Sequence, residues 1–100
     1  MKRYRLKSNP IVDADVEAAF QWYESEKEGL GYEFLDELRA AYRRIRNGPL
    51  KYQVLRSGIR RAMTRRFPYA IYFSVEGTLI VILAVLHAGR DPAVWQRRIE

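Results

Sequence analysis

The chain has 100 residues, no cysteine, one histidine and a formal net charge of +6. That length suits one domain with one binding surface, since only roughly two thirds of the unfolded surface is buried in folding a chain of this size. The composition excludes disulfides, thiol nucleophiles, thiolate metal sites and a histidine metal cluster, and it suits a reducing cytoplasm.

The charge is unevenly placed. Residues 1–50 hold nine Lys/Arg and nine Asp/Glu, whereas residues 51–100 hold nine Lys/Arg against Glu76, Asp91 and Glu100, so the whole excess of +6 sits in the second half. Such a field draws an acidic partner, either nucleic acid or an acidic protein segment. The basic start MKRYRLKSNP has no signal-peptide core behind it, and the longest apolar run, Leu79 to Leu86, is far shorter than a membrane span. The expectation is a soluble, cytoplasmic protein with no membrane partner.

In chain order, Lys2 to Lys7 alternates basic residues with Tyr4 and Leu6, which reads as a short strand opening the sheet. Ser8-Asn9-Pro10 is a helix start, with Pro10 at the first position, where no amide donor is needed. Val12, Val16, Ala19, Phe20 and Tyr23 then follow helical spacing to about Lys27. Glu28-Gly29-Leu30-Gly31 reads as the connector to an antiparallel second helix, whose stripe is Phe34, Leu35, Leu38, Ala41, Tyr42 and Ile45. Acid early in this helix (Glu33, Asp36, Glu37) and base late (Arg39, Arg43, Arg44, Arg46) complement its dipole, and Asn47-Gly48-Pro49 stops it.

Leu50 to Arg56 predicts a strand, Ser57-Gly58 a turn, and Ile59 to Phe67 a further strand ending at Pro68. Arg60, Arg61, Arg65 and Arg66 fall at both parities, so some must face away from the core, with Lys51 and Arg56 as neighbours. Tyr69 to Val75 alternates as a strand with one apolar face, while Leu79 to Leu86 is apolar on both faces, as a central strand is. With Glu76-Gly77 as the turn, Val75 pairs with Thr78, Phe73 with Ile80 and Ile71 with Ile82. That register puts Ile71, Phe73, Ile80, Ile82 and Leu86 on one face, and Tyr72, Leu79, Val81, Leu83, Val85 and His87 on the other. The tail from Asp91 to Glu100 reads as a short turn or irregular segment with Trp95 packed back on the body. The order β-α-α-β-β-β-β is α+β: a helical hairpin on one face of a C-terminal, largely antiparallel sheet.

These elements resemble a known family. The strand with Arg60-Arg61 leading into Arg66-Phe67-Pro68-Tyr69-Ala70-Ile71-Tyr72, the apolar strand Ile80 to Leu86 and the ending His87-Ala88-Gly89-Arg90-Asp91-Pro92 are similar, in this order, to the RelE/ParE superfamily of toxins from bacterial type II toxin–antitoxin systems. The likeness covers nearly the whole chain, and the Tyr4–Ser8 strand and Trp22-Tyr23 also suit it. The resemblance implies one toxin domain over residues 1–100, no cofactor, and a cognate acidic antitoxin that lies on the sheet and helices in a toxin–antitoxin hetero-oligomer.

Two activities are implied on this one fold. ParE-like members inhibit DNA gyrase, whereas RelE-like members cut mRNA on the ribosome. Metal-free RNA cleavage needs proton-transfer groups and cations that hold the phosphate. The candidates for proton transfer are His87, Tyr69, Tyr72, Glu76 and Asp91, and a nuclease would use His87, Arg90, Arg61 and Arg65. RelE-like enzymes commonly carry a tyrosine close to the C-terminus, but this chain has none after Tyr72 and has Trp95 in the tail, so the resemblance leans to ParE. The candidate partner-binding residues are then Arg60, Arg61, Arg65, Arg66, Tyr72, His87, Arg90 and Trp95. Trp22 and Tyr72 are candidate base-stacking platforms, with a packing role the alternative for each.

Overall fold

The computed structural model describes residues 3–89 and 92–98. Its elements are β1 (Arg5–Ser8), α1 (Pro10–Glu26), α2 (Leu30–Asn47), a 3₁₀ turn at Pro49–Lys51, β2 (Gln53–Val54), β3 (Arg60–Met63), β4 (Tyr69–Glu76), β5 (Leu79–His87) and α3 (Ala93–Arg97). The sheet runs β1-β5-β4-β3-β2. All neighbours are antiparallel except β1 and β5, which are parallel and joined through the rest of the chain. The α+β order read from the sequence is the order observed.

The two helices lie on one sheet face. Val12 and Ala19 of α1 and Phe34, Leu38, Ala41 and Ile45 of α2 are buried with Ala62, Tyr69, Ile71, Phe73, Ile80, Ile82 and Val85. Tyr23 is the aromatic hub of this layer, with ring centroids at 4.8 Å from Phe67, 5.4 Å from Phe34 and 6.0 Å from Tyr69. The opposite face carries a smaller cluster of Ile59, Ala70, Tyr72, Ala84 and Leu86, with Trp95 laid over it.

Five local readings are corrected. The helical connector is shorter than Glu28 to Gly31: Gly29 takes the left-handed conformation at φ 88° and α2 starts at Leu30. Gly31 lies inside the helix because its missing Cβ lets α1 approach; an added Cβ would stand 2.7 Å from the Phe20 ring. The segment Leu50 to Arg56 begins as a 3₁₀ turn and leaves a strand of only two residues. β3 stops at Met63 instead of Phe67, since the Thr64 hydroxyl donates to the Phe67 carbonyl and Glu37 accepts the amides of Arg65 and Arg66, so the chain turns there. The tail contains a helical turn, α3, although Trp95 does pack back on the body as expected.

The fifth correction is the hairpin register. Glu76 pairs with Leu79, so the loop residues are Gly77 and Thr78, with Gly77 at φ 63°. This is the turn in which glycine takes the first central position, and it spares Glu76 a positive φ. Val75 therefore pairs with Ile80 and Phe73 with Ile82, two residues from the expected register, which leaves those faces unchanged. A bulge then passes over Leu83, so Tyr72 pairs with Ala84 and Ile71 with Val85. Beyond it the faces exchange: Val85 joins the helix-side core and Leu86 the opposite cluster, the reverse of the alternation read from sequence. The expected Ser57-Gly58 turn is present, with both residues at positive φ, as a two-residue hairpin loop requires.

Candidate functional surface

The arginines of the strand half divide into two groups. Arg60 points to the helix side, where its Nη1 donates to the carbonyls of Leu50 at 3.0 Å and Tyr52 at 2.7 Å, closing the 3₁₀ turn against β3. Arg66 lies in the turn after β3, with its guanidinium on Glu33 at 2.5 Å and 5.1 Å from the Phe67 ring. Arg61 stands on the opposite sheet face, paired across the strands with Tyr72 on one side and Gln53 on the other. Arg65 is exposed, and only its backbone amide is held by Glu37. Two of the four predicted contact arginines thus have structural roles, and the other two face solvent or the open sheet face.

Tyr72 and Trp95 are brought together. Their rings stack at 5.0 Å and 16° between planes, and both are buried. Tyr72 is therefore a packing residue under a lid, whereas Trp22 is exposed on α1. Arg90 and Asp91 lie outside the described residues.

His87 ends β5 on the exposed rim of the helix side. Its Nδ1 accepts the Gly89 amide at 3.0 Å and its ring meets Tyr69 edge-on at 5.6 Å. The acceptor role of Nδ1 fixes the neutral tautomer with the proton on Nε2. The residues suggested for nuclease chemistry do not converge on it. Glu76 sits at the other end of the β4–β5 hairpin, about 23 Å away along a strand of this length. Arg61 and Tyr72 face the other side of the sheet. Burial and the neighbouring Tyr69 raise the Tyr23 pKa, and burial pushes Tyr42 up to about 12, so both phenols stay protonated at neutral pH.

Sequence reading missed one polar centre. Asp15, mid-way along α1, receives both terminal nitrogens of Arg98 at 2.6 and 2.8 Å and also accepts the Val85 amide at 3.0 Å. The same guanidinium donates to the Leu83 carbonyl at 3.2 Å. β1 stops pairing at Ser8 opposite Ile82, so this edge of β5 beyond the bulge lacks a strand partner, and the two side chains supply the missing donor and acceptor. The hydrogen bonds to Asp15 raise the Arg98 pKa, outweighing its burial. Nothing local in the sequence marks this pair; the one signal is an acid at a helix position that also faces the sheet.

Two concavities remain. A groove of about 420 Å³ runs between the helices, with Val12, Val16 and Phe20 of α1 facing Tyr32, Leu35 and Tyr42 of α2, and Asp13, Glu17 and Arg39 alongside. A cleft of about 320 Å³ lies where α1, the end of β5 and α3 meet, lined by Ala14, Ala18, Leu86, Val94, His87 and the Asp15–Arg98 pair. Among the described residues no three His, Cys, Asp or Glu side chains are grouped as metal ligands, and no helix is long and apolar enough to cross a membrane.

Comparison with known proteins agrees with this architecture. A solved chain of the chromosomal ParDE TA system from P. aeruginosa superposes with a TM-score of 0.77 at 18% identity, over 85% of this chain and 96% of that one, a likeness of fold. No curated protein matches the sequence. The family model described as the ParE toxin of the type II toxin–antitoxin system parDE matches residues 6–92, and the chain belongs to that family.

Proposed function

We propose that this protein is a cytoplasmic toxin that inhibits DNA gyrase by binding it, and that a cognate acidic antitoxin neutralises it in a hetero-oligomer. The observation that carries the reading is the family match across residues 6–92, which spans every element from β1 to the start of the tail. The geometry supports action by binding. The proton-transfer candidates are dispersed over both sheet faces and both hairpin ends. The apolar groove between the helices and the acid-poor second half offer a protein partner both apolar area and positive charge.

Expression of the chain alone should arrest bacterial growth, and co-expression of the short acidic protein encoded beside it should relieve the arrest. Unimpaired growth at high soluble levels would contradict toxicity. His87→Gln separates binding from nuclease chemistry. It keeps a hydrogen-bonding side chain of similar size but removes the one group that titrates near neutrality, whose catalytic help is typically worth about 10²- to 10⁴-fold. The arrest should survive this change nearly intact; its loss in a folded variant, together with mRNA cleavage by the parent on ribosomes, would assign a RelE-like endonuclease instead.

A further inference from the structure

The β2–β3 edge combines three features that the toxin reading leaves unused. First, the edge is open. Leu55 donates to the Ile59 carbonyl at 2.7 Å, so Gln53 and Leu55 bond toward β3 and the alternation turns the Val54 amide and carbonyl outward. β2 ends after two residues, and the backbone groups of Met63 face the space where it would continue. Second, the edge is apolar where it is exposed: Leu50, Val54 and Met63 are 56%, 48% and 45% accessible. Third, residues 50–66 carry six Lys/Arg and no acid. Arg60 and Arg66 are engaged internally, but Lys51, Arg56, Arg61 and Arg65 have no ion pair among the described residues.

We propose that this edge receives an extended acidic segment of a partner protein as an added strand. On the reading given under Proposed function, that partner is the antitoxin. Outward backbone groups supply the main-chain bonds, Leu50, Val54 and Met63 take apolar side chains, and the four cations select carboxylates. The apolar residues favour a peptide over a nucleic acid, which would call for exposed aromatic stacking surfaces between the cations.

The probe is a short fluorescent peptide of alternating glutamate and valine, titrated at low salt and followed by anisotropy. It should bind the parent, weaken as salt rises, and bind Lys51→Glu/Arg56→Glu about tenfold less tightly, the size that two reversed exposed ion pairs give. Val54→Pro removes the outward donor and leaves the bonds of Gln53 and Leu55 to β3, and it should also lose affinity. His87→Gln, away from the edge, should bind as the parent does. A lysine-valine peptide should not bind. Absent binding, or equal binding to the parent and the charge-reversed variant, overturns the proposal and leaves the basic edge as a guard against sheet-to-sheet aggregation. Edge binding by a chain that fails to arrest growth would sink the toxin reading while the edge site stands.

Discussion

Asp15 and Arg98, 83 positions apart, form a two-pronged ion pair that binds the last helical turn to both α1 and the bulged half of β5. Both side chains are largely removed from water, at 8% and 18% accessibility. Truncating either partner strands the other, which typically costs about 3 kcal/mol or more in buried pairs. Arg98→Ala should lower stability by that order, and Asp15→Ala should match it, since it also orphans the Val85 amide. The double variant should lose much less than the sum. Denaturant melts of the four proteins check this; additive losses would mean that the residues act separately.

Gly31 tests how closely the helices approach. Gly→Ala inside a helix is ordinarily favourable by about 0.5–1 kcal/mol. Here the new methyl would meet Phe20 at 2.7 Å and Glu24 at 2.8 Å, and the Gly31 amide already donates to Glu24. Gly31→Ala should therefore destabilise by about 1–2 kcal/mol, as overpacking does. A rise in melting temperature would show that the helices yield.

Arg60 and Arg65 are adjacent in type and distinct in work. Arg60→Ala removes the donor from two backbone carbonyls and should cost about 1–2 kcal/mol. Arg65→Ala should change stability by about 0.5 kcal/mol or less. Equal effects in thermal unfolding would contradict the division of the arginines into structural and solvent-facing groups.

Tyr42 sets a response to alkali. Burial is the main cause of its raised pKa, with Asp13 and Asp15 adding to it and the Ser8 hydroxyl partly offsetting it. The folded state holds the proton to about 12 against an ordinary 10, so the contribution is complete below pH 10 and is lost as pH climbs to 12. That amounts to about 2–3 kcal/mol. Tyr42→Phe should flatten the stability curve over this window relative to the parent, and an unchanged slope would remove Tyr42 as its cause.

What the sequence revealed and what it hid follow a physical division. Local chemistry was legible: Pro10 at the first turn of α1, Gly48-Pro49 after α2 and Ser57-Gly58 between β2 and β3 each act within a few residues. The helical stripes were legible too, because burial repeats with the helical period. The bulge at Leu83 was not, since one residue left out of pairing changes no apolar count in a strand that is greasy on both sides. It exchanged Val85 with Leu86 and, through them, set the edge that Asp15 and Arg98 cap. The arginine surface was half legible. Charge excess told that cations lie on the strand half, but only folding decides that Arg60 meets carbonyls and Arg66 meets Glu33.

The central claim is that this ParE-family chain acts by binding gyrase. DNA supercoiling by purified gyrase, measured as the toxin concentration is raised, tests it most directly, with translating ribosomes assayed for mRNA cleavage in parallel. The expected result is dose-dependent loss of supercoiling, reversed by the antitoxin, with ribosome-bound mRNA intact. Full gyrase activity at saturating toxin, alongside cut mRNA, would contradict it.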